Sequence, residues 1–249
     1  MATTMIGDRP VAVTGSADRT VRVWDLRTGY ETGLPLTGHV GPVFNLATTM
    51  MYGCPVAVVV SRRDCGDCFL HIAHVWDLET GELLDELAGD AEYTATALVE
   101  GHPVAVVGGW TGVRLTDLIT GRVRHFHRYG PVRGLATMMM DDRPVAVVRG
   151  EETIWITDLT TGRLAPGPRI SKLEQWGWTA ATVVDGRPLA FTADFYRNVL
   201  RVWDVTSPQE SEKTEVTPVV WTHLTMDLAD PGRCRSTWHG PRSTVRSSG

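Results

Sequence analysis

The chain has 249 residues, a formal net charge of −5 and 43% hydrophobic residues. The acidity argues against generic attraction to nucleic acid, and the longest purely apolar run, Val56 to Val60, is far too short to span a bilayer. The opening decapeptide MATTMIGDRP has neither the basic nor the apolar region of a signal peptide, so a cytoplasmic location is expected.

From the N-terminus, DRPVAV at Asp8 is the first clear element. Its β-branched and small apolar residues lack polar alternation, as in a strand covered on both faces, and its proline leads the run where a strand tolerates it. RTVRVWDLRTGY follows from Arg19: TVRVW alternates as a strand does, and DLRTG supplies the Asp and Gly of a hairpin loop. VFNLATTM from Val43 predicts a third kind of strand, rich in small residues. Then the phrases return. PVAVVV follows Cys54, PVAVV follows His102, PVAVV follows Arg143 and PLAF follows Arg187. Asp25, Asp77, Asp117, Asp158 and Asp204 anchor the hairpin phrase at intervals of 52, 40, 41 and 46 residues. Ala47, Ala97, Ala136 and Ala181 recur in the small-residue phrase, which suggests crowding near a common axis. The nearest approach to a helix is Leu84 to Glu92, ended by Gly89.

A unit of about forty-odd residues, repeated five times, cannot bury both faces of its sheet alone, so neighbours must stack on it. Radial stacking of four-stranded sheets gives an all-β fold, a β-propeller of about five four-stranded antiparallel blades. The repeat covers residues 1–230, and 231–249 reads as a disordered basic tail. Val219 to Asp227 repeats the inner-strand phrase and is expected to close the ring by pairing with Pro10 to Thr14, where the opening ATTM overlaps it and one of the two must be displaced. The counter-reading is a fragment of a larger propeller, because PGRCRS stands at Pro231 where a sixth PVAV is due.

Trp24-Asp25, Trp76-Asp77 and Trp203-Asp204, with SADRTVRVWD from Ser16, resemble WD-repeat β-propellers, and Gly38-His39 resembles that family's Gly-His pair. The resemblance implies a brace of His, Ser/Thr, Asp and Trp within a blade. His39, Asp64 and Trp76 would supply it in the second blade, and Ser16, Asp18 and Trp24 in the first. The third and fourth copies carry Thr116 and Thr157 in place of Trp, so packing alone should hold them.

No catalytic set stands out. The serines lie mostly in turns or the tail, the repeated aspartates read as turn formers, and no glycine-rich loop runs from a strand into a helix. His125 and His127 flank Phe126 in an expected outer strand. Cys65, Cys68, His71 and His74 are ligand types for zinc, yet residues three apart on a strand face opposite sides. No metal, other cofactor or small-molecule substrate is therefore expected, and the chain is read as no enzyme.

The resemblance places the loops into the inner strands, and those joining the second and third strands, on one rim. That rim would carry Trp110, Tyr129, Trp176, Phe195 and Tyr196 with Arg62, Arg63, Arg128 and Arg197. These residue types are enriched at binding hot spots, although Trp176 and Trp178 would equally serve as plugs folded over their blade. The expected role is a non-catalytic scaffold for an unidentified protein partner. Two further readings stand beside it: a regulatory or sensor propeller from a larger NTPase or kinase chain, and a propeller enzyme with acids converging in its channel. Lys172 and Lys213 are the only lysines among 24 Lys and Arg residues, a bias of GC-rich coding that points to a bacterial source.

Overall fold

Each PVAV phrase forms the second strand of a small antiparallel sheet, and five such sheets follow one another as the blades of a β-propeller. The computed structural model describes residues 1–64, 69–87, 89–126, 130–151, 153–169, 177–194 and 199–206. The chain divides into Met1–Pro218 and Val219–Gly249, and every described strand lies in the first unit.

The first blade has β1 (Ala2–Ile6), β2 (Arg9–Gly15) and β3 (Val21–Asp25). Its fourth place is held by the segment making the bridges Val21↔Leu36 and Trp24↔Glu31. The second has β4 (Val43–Met51), β5 (Cys54–Asp64), β6 (Phe69–Asp77) and β7 (Leu83–Leu87). The third has β8 (Tyr93–Val99), β9 (His102–Gly109), β10 (Gly112–Asp117) and β11 (Val123–Phe126). The fourth has β12 (Gly134–Met140), β13 (Arg143–Arg149), β14 (Thr153–Asp158) and β15 (Leu164–Arg169). The fifth has β16 (Gly177–Val184), β17 (Arg187–Asp194) and β18 (Val199–Asp204).

In every blade the order is sequential, and the phrase register repeats: Ala12↔Trp24, Ala57↔Trp76, Ala105↔Thr116, Ala146↔Thr157 and Ala190↔Trp203. The inner hairpins of the second to fifth blades turn on paired left-handed residues, such as Glu100 and Gly101 or Asp185 and Gly186. Two positive φ angles are what a two-residue type I′ hairpin requires. The stretch nearest to a helix in the sequence overlaps β7, so its first four residues serve a strand.

The core lies between the blades. Each sheet has a rear face toward the preceding blade and a forward face toward the next. Forward Val11, Val13, Val21 and Val23 pack on rear Ala57, Val59 and Trp76. Forward Val56, Val58 and Val60 pack on rear Ala105 and Val107, and forward Val106 and Leu115 on rear Ala146 and Val148. Forward Val145, Val147, Ile154 and Ile156 pack on rear Ala190 and Trp203. Because both faces of an interior strand are covered, unbroken Val runs suit it better than alternation does.

Along the inner strands runs a ladder that the recurrent alanines do not mark. Thr48 Oγ1 donates to the Thr3 carbonyl (2.9 Å), Thr96 Oγ1 to that of Thr48 (2.8 Å) and Thr137 Oγ1 to that of Thr96 (2.7 Å). These threonines share one register position, opposite the PVAV alanine, whereas Ala47, Ala97 and Ala136 are staggered against it. In the fifth blade Ala181 takes that position, so no hydroxyl is present there.

One expectation is corrected here. Both edges of β2 are occupied, by β1 through Ala2↔Val13 to Ile6↔Arg9 and by β3. The opening residues thus hold the place proposed for Val219 to Asp227, a segment outside the described residues. The ring-closing pairing with Pro10 to Thr14 is unavailable because that strand edge is already hydrogen-bonded.

Candidate functional site

The repeated aspartates define one end of each blade. Asp25 accepts the backbone N–H groups of Arg27 and Thr28, Asp77 those of Glu79 and Thr80, Asp117 those of Ile119 and Thr120, and Asp158 those of Thr160 and Thr161. Asp204 accepts from the Thr206 N–H and hydroxyl. Hydrogen bonds to the carboxylate favour its charged form. The Thr206 and Arg187 side chains hold Asp204 at about 2, while hydrogen bonds outweigh opposing burial to hold Asp117 at about 2. These carboxylates are committed to turns.

The brace residues divide. Trp24 Nε1 donates to Thr14 (2.8 Å) and Trp203 Nε1 to Thr192 (2.9 Å). The hydroxyl partner in the first blade is therefore Thr14 and not Ser16, because β2 puts Thr14 beside the indole, while Ser16 accepts from the Asp18 N–H. Asp18 accepts from Thr20 and Arg22 within the same loop. In the second blade Val59 stands where Thr14 and Thr192 stand, so Trp76 Nε1 is buried without a hydrogen bond. His39 is 6% exposed, its ring 5.0 Å from Trp76 and 6.2 Å from His74, and neither ring nitrogen has a hydrogen-bond partner among the described residues. Burial first, and then the facing His74, push His39 down to about 4. The Asp64 side chain lies outside the described residues.

His71 and His74 do face opposite sides of β6. His74 turns toward the first-blade side with His39, whereas His71 turns toward the third blade, 3.9 Å from Glu92. Cys65 and Cys68 lie outside the described residues.

At the other end of the blades a continuous ridge crosses three of them. The Arg62 guanidinium sits 4.5 Å above the centre of the Phe44 ring, and Phe44 meets His71 edge-on at 6.3 Å. His71 approaches Glu92, which accepts the Trp110 indole N–H at 2.5 Å. The Trp110 backbone N–H donates to Asp90. On its far side Trp110 lies 5.1 Å from the Arg133 guanidinium, and Arg133 pairs with Glu151 at 3.1 Å. Arg149, 1% exposed, donates from Nε to the Arg133 carbonyl at 3.1 Å and so anchors that loop from below. Gly109 is required beside Asp90, since a Cβ there would collide with the carboxylate that holds Trp110.

Trp110 is 57% exposed, yet both of its N–H groups are tied to acids. That combination fixes an amphipathic ring at the surface and limits the entropy lost when a partner covers it. His71, Asp90 and Glu92 offer ligand atoms within 4.8 Å of one another, but Asp90 and Glu92 are engaged by Trp110 and the cation of Arg62 lies alongside. Burial pushes His71 down, against the opposing pull of Glu92 and Asp90.

Of the rim residues expected from sequence, the structure unites Trp110 and Arg62, with Arg63 exposed beside them at the end of β5. Tyr129, Trp176, Phe195, Tyr196, Arg128 and Arg197 lie outside the described residues, as does His127. Trp178 is no plug: it belongs to β16 and is 60% exposed. Sequence reasoning missed Phe44, Glu92 and Arg133, which occupy one position of the repeat, just before the register pairs Asn45↔Val60, Tyr93↔Gly108 and Gly134↔Arg149. The parallel GPVF and GPVR phrases, at Gly41 and Gly130, were the available signal. On the opposite rim a cleft of about 850 Å³ opens between the first two blades, lined by Asp8, Arg9, Leu34, Trp76 and Glu79.

Searches against known proteins return no matching family model and no matching curated protein. Among the described residues no helix is long and apolar enough to cross a membrane.

Proposed function

We propose that this propeller is a non-catalytic protein-interaction scaffold of the WD-repeat kind, working in the cytoplasm of a bacterium. Its binding surface is the ridge from Arg62 to Glu151. The observation that carries this reading is the exposed indole of Trp110 clamped by Asp90 and Glu92 and flanked by Arg133. An aromatic pre-fixed among arginines and acids suits a protein surface of mixed charge, because the ring supplies buried area and the flanking ions supply orientation.

Affinity capture from the source organism, followed by calorimetry with the recovered partner, tests the reading. Trp110→Ala should weaken binding by about 1 kcal/mol or more while the melting temperature scarcely moves. Lower melting with unchanged affinity would contradict it, as would substrate turnover by the isolated protein.

A further inference from the structure

The rim opposite the ridge carries a second surface, built by the inner hairpins. Two residues past each ladder threonine, Met50, Leu98 and Met139 share one register position, opposite the proline of PVAV. They are 42%, 57% and 53% exposed. Their chain neighbours Met51, Val99 and Met140 pack into the cores between blades, so the exposed set lies on the other face of each strand. Met5 and Val183 hold the same register in the first and fifth blades. The threonine ladder makes the inner strands neighbours, and the Thr4 hydroxyl donates to Met50 Sδ of the adjoining blade at 3.9 Å. Large apolar side chains thus follow one another from blade to blade. A single exposed Leu or Met needs no explanation, whereas a contiguous series of them marks an interaction surface.

The turns just beyond these residues carry acids. Glu100, Asp141 and Asp142 are exposed at the hairpin tips, and none of them makes an ion pair among the described residues. The basic side chains of the same hairpins turn to the repeated aspartates instead: His102 lies 2.8 Å from Asp117 and Arg143 3.8 Å from Asp158. At the tip of the second blade's hairpin the exposed Tyr52 adds an aromatic ring. The result is an apolar strip bordered by negative charge without partners.

We infer that this rim docks a basic amphipathic segment of a partner protein. Its apolar side chains seat on Met50, Leu98 and Met139, and its Lys or Arg side chains meet Glu100, Asp141 and Asp142. Charge complementarity selects that occupant, since the same acids repel a second copy of this rim and an anionic lipid surface. Methionine, unbranched and polarizable, moulds to varied apolar side chains. The inference stands without the ridge reading, because the two surfaces lie at opposite ends of the blades.

Fluorescence anisotropy of the full chain with short labelled peptides provides the test. The probes are an amphipathic leucine–lysine peptide, a lysine-only peptide of equal charge and a leucine–glutamate peptide. At physiological salt, which screens loose charge attraction, the leucine–lysine peptide should bind about tenfold or more tightly than either of the others. Leu98→Gln with Met139→Gln should weaken that binding by about tenfold or more, and so should Glu100→Lys. Trp110→Ala should leave it unchanged, which locates the peptide on this rim and not on the ridge. All these positions are exposed, so melting should match wild type; if the paired Gln variant melts early, Glu100→Lys at its hairpin tip carries the test. Equal affinity for the three peptides, unchanged affinity in the rim variants, or an equal loss in Trp110→Ala would each overturn the inference. Sedimentation showing a wild-type dimer that Leu98→Gln with Met139→Gln dissolves would assign the surface to a second copy, which also overturns it.

Discussion

The third and fourth blades lack tryptophan at the repeat position yet are buried throughout their second strands, while the fifth keeps the Trp–Thr bond and leaves Leu200 and Trp178 exposed. Thr116 and Thr157 replace the indole, and around them Val104 to Val107 and Val145 to Val148 are almost fully buried. In the fifth blade Trp203 donates to Thr192 as the family resemblance would have it, but Phe191, Leu200 and Val202 on the other face are only partly covered. The difference teaches that neighbour stacking, and not the hydrogen bond inside a sheet, makes a blade stable. A neutral hydrogen bond adds about 1 kcal/mol, whereas burying one Leu or Val side chain adds about 1.5–3 kcal/mol.

The largest expected effect separates two forward-face leucines, one on each kind of blade. Leu115 and Leu200 lie on the forward faces of the third strands, at 2% and 37% exposure. Leu115→Ala should cost about 3 kcal/mol in urea unfolding and Leu200→Ala less than about 1 kcal/mol in dilute protein. Equal losses would break the comparison.

Next in size is the acid response of the second blade. His39 is held at about 4 by burial and by His74, against 6.5 in the unfolded chain. The unfolded state therefore binds the proton first, so this contribution is complete above about pH 6.5 and is lost as pH falls toward 4. The loss should approach about 2–3 kcal/mol, and His39→Phe should remove most of that pH dependence. An unaltered pH profile in the variant would assign the acid response to other groups.

How much of this was legible in the sequence follows from what each residue does. Repeats, turns and blade count could be read because the PVAV runs and hairpin aspartates act through local backbone geometry, which the residue types announce. The ladder was hidden because Thr48, Thr96 and Thr137 align only once strand register is known, and the spacing of the neighbouring alanines drew attention away. The ridge was half legible: Trp110 and Arg62 stand out as residue types, while Phe44, Glu92 and Arg133 matter only through contacts that strand register and blade stacking create. The exposure of Leu200 was unreadable, since Leu200 and Val202 look like any buried strand pair.

The smallest effects sharpen the role of the Trp–Thr bond. Thr192→Val should cost about 1 kcal/mol by leaving the Trp203 N–H buried without a partner. Val59→Thr should give Trp76 the acceptor it lacks and raise stability by up to about 1 kcal/mol. The same change at Val107, which pairs with Arg114 in the blade that carries Thr116 at the tryptophan position, should destabilise.

Hydrogen–deuterium exchange in dilute protein tests most directly whether stacking governs blade stability. If it does, amides of β9 and β13, in blades without the Trp–Thr bond, will exchange more slowly than those of β2 and β17, which have it. Slower exchange in β2 and β17 than in β9 and β13 would show that the bond within the sheet decides stability, and would contradict the stacking explanation.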